Sequence, residues 1–368
     1  MRRMFSTSAV LCVAGAAMLA AGRTAPRSAA DPGCAADWDS TRTMVERDYA
    51  GYRDKTGAAE RRAAFAALTD SVRAAVEAAA DDRACTAALQ RWTTFFRDPH
   101  LSLWQPDPDP AQPAAATTGP TAAPPAPYAI RYPDDSTAVL VLSDFGQRRK
   151  AGIDSLLAAH RARLLATPYL VIDVRRNGGG WTESYAGVLP LLYTDPIRVD
   201  GMEAWASEGN VAYVRGMLAS ERAPAALKEQ LRPLLARMEA HPGEFVVIAV
   251  DSTIRMPEVL PLPRAVALLT ARQCASTCEQ FVLDARQSRK VVVIGAGNTR
   301  GMTDYGNART VTLPSGLRRL QLPSARSMRL PETRMDMVGI APDVRIPEAE
   351  ADTVAFAVRE LRRRAGAH

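Results

Sequence analysis

The sequence predicts an α/β protein with a small helical region in front of it, and three observations carry that reading. Short, nearly continuous apolar runs, Thr137–Leu142, Tyr169–Val174, Ala265–Leu269 and Lys290–Gly297, have the composition of strands buried on both faces. Between them lie segments with helical apolar spacing, Ile153–Leu165 and the stretch holding Phe281, Val282 and Ala285. Ahead of them, residues 38–97 hold three helical stripes: Trp38, Thr41, Val45, Tyr49 and Tyr52; then Phe65, Leu68, Val72 and Val76; then Cys85, Ala88, Leu89, Trp92, Phe95 and Phe96.

Taken in order, the chain begins with Arg2 and Arg3 before an apolar segment from about Ala9 to Ala21, too short to span a bilayer comfortably and followed by small residues. Residues 1–30 are therefore expected to be an export signal, cleaved after Ala21, Gly22 or Ala30, so that the protein is periplasmic or secreted. Cys12 would leave with it. Four cysteines then remain, Cys34, Cys85, Cys274 and Cys278. In an exported chain they suggest two disulfides with three possible connectivities, of which sequence locality favours Cys34–Cys85 and Cys274–Cys278, with buried free thiols as the alternative.

Residues 31–104 form the expected helical N-terminal domain, which ends where Pro99 disfavours helix at Asp98 and delivers His100 into a short extended segment. Residues 105–127, mostly Pro, Ala, Thr and Asp, read as a linker, and 128–368 as the α/β domain. In that domain Tyr128–Tyr132 reads as a strand, 182–192 as a helix bent at Pro190, 226–238 as an amphipathic helix, 245–250 as a strand, and 351–364 as a closing helix. The net charge of +6 is almost wholly arginine and is spread along the chain, with no basic stripe interleaved with aromatics, so nucleic acid is not an expected partner. After the export signal, no stretch is long and apolar enough to be a membrane span.

Two turns carry chemistry. Asp173-Val-Arg-Arg-Asn-Gly-Gly-Gly180 follows a buried strand, and its consecutive glycines allow positive φ and close approach of backbone N–H groups to a substrate carbonyl; a plain flexible turn is the alternative. It lacks the Lys-Ser/Thr of a phosphate loop and the spacing of a dinucleotide site. Ser276 lies between an apolar strand and a helix, where unpaired N–H groups and the positive end of the helix dipole stabilise a developing oxyanion. Ser276-Thr-Cys-Glu279 equally matches a capping box, in which hydroxyl and carboxylate satisfy backbone donors and do no chemistry.

Asp98-Pro-His100, the glycine loop, Ala275-Ser-Thr-Cys-Glu279 and Gly339-Ile-Ala-Pro-Asp343, in this order, make the chain resemble the serine peptidases of the C-terminal processing peptidase and tricorn core family over roughly residues 38–348. The resemblance implies a catalytic domain of the ClpP/crotonase type, a spiral of ββα units. It implies Ser276 as nucleophile, an oxyanion hole of Thr277 N–H and Gly179 N–H, and Gly178 and Gly180 lining the substrate. Processing peptidases activate their serine with a lysine inside a Thr-x-Gly-Lys-Gly run, but Met302 stands at that position here and Lys290 opens a buried strand. The tricorn-like arrangement fits instead, with His100 as base and Asp336 as the acid that holds the imidazole, Asp336 standing where glutamate is more usual. Only the Pro/Ala-rich stretch stands where the family commonly carries a PDZ domain, so recognition of a substrate C-terminus is not implied. Neither cofactor nor metal is implied, and the expected partner is a peptide or protein substrate. The competing readings are a catalytically silent ligand- or peptide-binding protein on the same fold, a cysteine nucleophile at Cys274 or Cys278, and a crotonase-like acyl-CoA enzyme, which the export signal disfavours.

Overall fold

The computed structural model of the protein describes residues 32–106 and 126–365; the expected export signal and most of the expected linker lie outside them. The helical stripes fold as four helices, α1 (Pro32–Asp48), α2 (Tyr52–Thr56), α3 (Ala59–Glu77) and α4 (Asp82–Thr94). Their apolar faces bury Trp38, Val45, Phe65, Leu89, Trp92 and Phe96 against one another, with Trp38 set edge-on to Trp92 at 5.3 Å between ring centroids. Cys34 and Cys85 are bridged across 51 residues, tying α1 to α4. Closing a loop of that length restricts the unfolded chain by roughly 4 kcal/mol.

Strand β1 (Ser102–Trp104) follows, then β2 (Tyr128–Asp134), β3 (Thr137–Leu142), α5 (Lys150–Leu164) and β4 (Tyr169–Asp173). Next come α6 (Leu189–Leu192), β5 (Ile197–Val199), β6 (Met202–Trp205), α7 (Glu208–Ala219), α8 (Ala225–Ala240), β7 (Phe245–Ala249) and β8 (Ser252–Ile254). The chain continues through β9 (Ala265–Thr270), α9 (Thr277–Ala285), β10 (Val291–Gly295), β11 (Tyr305–Gly306), β12 (Arg309–Thr312), β13 (Arg319–Leu322), β14 (Ala325–Ser327), β15 (Val344–Arg345) and α10 (Thr353–Ala365).

The main sheet has the order β15-β10-β9-β4-β3-β2, parallel except for the edge strand β2. Alternation within each strand sorts its residues to two faces. Leu140, Ile172, Val266 and Leu268 pack under α5 and α9, while Val139, Val171, Ala267 and Ile294 pack under α10. A parallel sheet needs both faces covered, and these helices cover them. Consequently β4 and β9, adjacent and in register from Tyr169 opposite Ala265, deliver the glycine loop and the Ser276 turn side by side at their carboxyl ends.

The helical layer does not close on itself. Its core is completed by Leu313, Leu320 and Leu322, and β1 pairs antiparallel with β13. Arg318, fully buried, reaches Asp37 on α1 at 2.7 Å, Asp82 on α4 at 2.9 Å and the Thr86 hydroxyl at 2.8 Å. The packing thus crosses the expected boundary at residue 104, and β1 holds the chain just after His100 in register.

Candidate active site

Asp98, Pro99 and His100 turn the chain from α4 into β1. The Asp98 carboxylate accepts the His100 backbone N–H at 2.8 Å and the Tyr49 hydroxyl at 2.8 Å, so the turn is fixed from within and from the residue that follows α1. His100 is buried, and its Nε2 lies 3.2 Å from Ser276 Oγ. That is hydrogen-bond reach between side chains 176 residues apart. Burial pulls the His100 pKa below its ordinary value, against the Asp98 charge and the Tyr305 backbone, which raise it. A neutral imidazole at pH 7 is the form that can accept a proton.

Ser276 has φ +55° and ψ −122°. An ordinary N-cap residue sits in the extended region, whereas a non-glycine residue at positive φ is strained, typically by about 1–3 kcal/mol. Glu279 makes the carboxylate half of the capping box, accepting the Ser276 N–H at 3.2 Å. It does more than cap. Fully buried, it also accepts the Thr299 hydroxyl at 2.5 Å, the Gly301 N–H at 2.7 Å and the Met302 N–H at 2.8 Å, joining the nucleophile turn to the loop after β10. Burial raises its pKa and these donors lower it.

The glycine loop lies against this turn. A side chain on Gly179, at φ +105°, would stand 2.7 Å from the Ala275 carbonyl, 3.0 Å from Ser276 Cβ and 3.1 Å from Thr277 N. Only glycine lets the two backbones approach so closely. Its N–H, however, is donated to Asn177 Oδ1 at 2.9 Å. Gly179 N–H, the donor expected in the oxyanion hole, is thus held by the Asn177 side chain in this structure. Buried Asn177 also donates to the Leu142 carbonyl at 2.9 Å, anchoring the loop to β3. The Thr277 hydroxyl donates to the Gly180 carbonyl at 2.7 Å, which aligns the two turns.

Asp336 does not hydrogen-bond His100 as expected. Its carboxylate takes Lys55 Nζ at 3.3 Å and the Asp304 N–H at 3.1 Å, and apart from Ser276 the groups that act on the His100 ring are Asp98 and the Tyr305 backbone. Burial pushes the Asp336 pKa up to about 8, with the Asp98 and Asp304 charges adding and Lys55 opposing.

Lys290 Nζ is committed to the Leu260 carbonyl at 2.5 Å and Met302 meets the site through its backbone, so neither activates the serine. Cys274 and Cys278 are bridged, with 5.3 Å between their Cα atoms, and a disulfide sulfur is no thiolate nucleophile. Among the described residues no group of His, Cys, Asp and Glu is placed to hold a metal ion. The roles of Glu279, Asn177 and Lys55 lay beyond the sequence reading. The i+3 spacing of Glu279 signalled a cap, but its other donors come from a loop 20 or more residues away.

The family model of peptidase family S41 matches residues 136–346, more than half of the chain. The chain belongs to peptidase family S41. It is a serine-type peptidase, and its substrates are peptides or proteins. No curated protein matches this S41 peptidase in sequence. Among solved structures it is similar to a provisionally assigned peptidase from Parabacteroides merdae, at 15% identity and a TM-score of 0.57 over 90% of this chain and 97% of that one. It is similar to mature CPAF complexed with lactacystin, at 10% identity and 0.57 over 90% and 98% of the two chains. A lipoprotein from Streptococcus agalactiae matches at 11% identity and 0.51, over 91% and 96%. Identities this low speak for the mixed α/β fold alone.

Proposed function

We propose that this S41 peptidase cleaves peptide bonds by acyl transfer on Ser276, with His100 as general base. The observation that carries the reading is the 3.2 Å contact between His100 Nε2 and the hydroxyl of a serine held at positive φ. His100 takes the hydroxyl proton as Oγ attacks the scissile carbonyl and returns it to the leaving amine; water, deprotonated by the same imidazole, then hydrolyses the ester. Thr277 N–H, at the first position of α9 and with no acceptor among the described residues, stabilises the oxyanion. The second donor comes from the glycine loop, for which Gly179, packed against Ala275, Ser276 and Thr277, remains the candidate, with Gly178 and Gly180 beside it lining the substrate. Asp98, the first charge felt by His100, favours the imidazolium that forms in the transition state. Asp336 acts on the charge balance of this cluster from its place beside Lys55.

The finer fold reading, a ClpP/crotonase-type spiral of ββα units behind a helical N-terminal domain of residues 31–104, is supported by the crossover β9-α9-β10 and by the four helices. Export is supported by the two disulfides, which persist in oxidising compartments. Among the described residues no helix is long and apolar enough to cross a membrane.

Turnover of an unstructured protein substrate tests the reaction. Wild type is expected to cleave it, and Ser276→Ala and His100→Ala to lose at least about 10²-fold in kcat. Equal turnover by Ser276→Ala would reject the mechanism.

A further inference from the structure

Ser276 stands where two geometries compete, the inert cap and the presented nucleophile, and the Glu279 hydrogen bond does not choose between them. The Glu279 carboxylate accepts the Ser276 N–H, but it would do so equally in an ordinary capping box, where the serine is extended and its hydroxyl turns to the helix N–H groups. Left to relax, a residue at φ +55° moves to that unstrained state. Something must prevent it.

We propose that the Cys274–Cys278 disulfide is the positioning device that holds Ser276 in its reactive conformation and out of the capped one. This rests on the reading of Ser276 as nucleophile. The bridge joins the second residue before the serine to the second after it, and keeps their Cα atoms 5.3 Å apart. An extended residue at the cap swings the incoming chain away from the helix and spreads those ends, whereas disulfides hold Cα separations of about 4.4–6.8 Å. The five-residue ring therefore selects a folded-back serine. Both cysteines are fully buried in the core shared with Phe281 and Val282, so the ring is anchored to α9 and the sheet. On its other side the Cys274 carbonyl accepts the Arg300 N–H at 2.9 Å, from the loop that Glu279 also grips. Ring and carboxylate thus hold the turn from opposite sides, and of these two it is the ring that discriminates the serine's conformation.

The test compares Cys274→Ala/Cys278→Ala with Cys34→Ala/Cys85→Ala, the distant bridge serving as control for lost cross-linking. Fluorophosphonate labelling of Ser276, peptide turnover and thermal midpoint are measured on each. In the 274/278 variant, labelling rate and kcat are expected to fall by about 10²-fold, the effect of a small misplacement of a reacting group, with KM little changed. The 34/85 variant should lose thermal stability while Ser276 keeps its wild-type labelling rate. A 274/278 variant that labels at the wild-type rate, whatever its midpoint, overturns the proposal and leaves the bridge a staple.

Should that variant not fold, wild type is titrated with dithiothreitol below its unfolding range. The reagent gives two electrons and two protons to the S–S bond, releasing two thiols and becoming its cyclic disulfide. Labelling that declines in step with alkylatable Cys274 and Cys278 supports the proposal; undiminished labelling with those thiols free refutes it. If Ser276→Ala labels like wild type, the nucleophile assignment itself has failed, an outcome distinct from either of these.

Discussion

The positive φ of Ser276 has a thermodynamic consequence that does not depend on catalysis, and Ser276→Gly against Ser276→Ala measures it. Both substitutions remove the hydroxyl and its contact with His100, so that loss cancels in the comparison. At an ordinary N-cap, alanine is the poorer residue by about 1 kcal/mol. At φ +55° alanine keeps the clash of Cβ with the backbone, worth roughly another 1–2 kcal/mol, and glycine does not. The expected gap is therefore about 2–3 kcal/mol in favour of glycine. Urea unfolding at fixed pH gives the two midpoints, and shared slopes would show that the unfolded states are comparable. A gap of about 1 kcal/mol or less would mean an ordinary cap and would refute the strained-nucleophile argument.

Other perturbations have equally definite outcomes. Because burial depresses the His100 pKa, kcat/KM should rise with pH through a midpoint below about 6.5 and be level at neutrality; a midpoint clearly above that value contradicts a buried neutral base. Glu279→Ala strands the Thr299 hydroxyl and the N–H groups of Gly301 and Met302 without their acceptor, so it should cost at least about 2–3 kcal/mol in urea unfolding and, by freeing the Ser276 turn, lower turnover as well. Asp336 has a folded pKa near 8, above its unfolded value, so the fold binds a proton there that the unfolded chain has released, and stability should fall as pH rises from about 4 towards 8. Asp336→Asn should flatten that slope and reduce kcat only a few-fold; a loss of about 10⁴-fold would mean that Asp336 reaches His100 during turnover.

The residues explain which parts of this architecture could be read from the chain. Ala265–Thr270 and Val291–Gly295 were legible because strands buried on both faces must be apolar throughout, and that places Ser276 and α9 between them. Helix α7 was not, since Gly209, Asn210 and Gly216 are weak helix formers; it is held by the Ser207 cap and by Asn210 donating to the carbonyls of Asp48 and Trp205. The helix expected over 182–192 shrinks to Leu189–Leu192 after two short 3₁₀ turns, with Gly187 and Pro190 in the segment. Strands β11 to β14 are two to four residues long, too short for a period to show. The meeting of His100 with Ser276 followed only from the family pattern. The capture of Asp336 by Lys55, 281 residues away, had no local signal at all.

The reaction of a single hydroxyl is the most direct trial of the whole account. Intact-mass analysis after brief fluorophosphonate treatment, with peptide mapping of the adduct, should find one phosphonyl group, on Ser276, in wild type, and a rate reduced at least about 10²-fold in His100→Ala. An adduct mapping elsewhere, or a His100→Ala variant that reacts as fast as wild type, would contradict it.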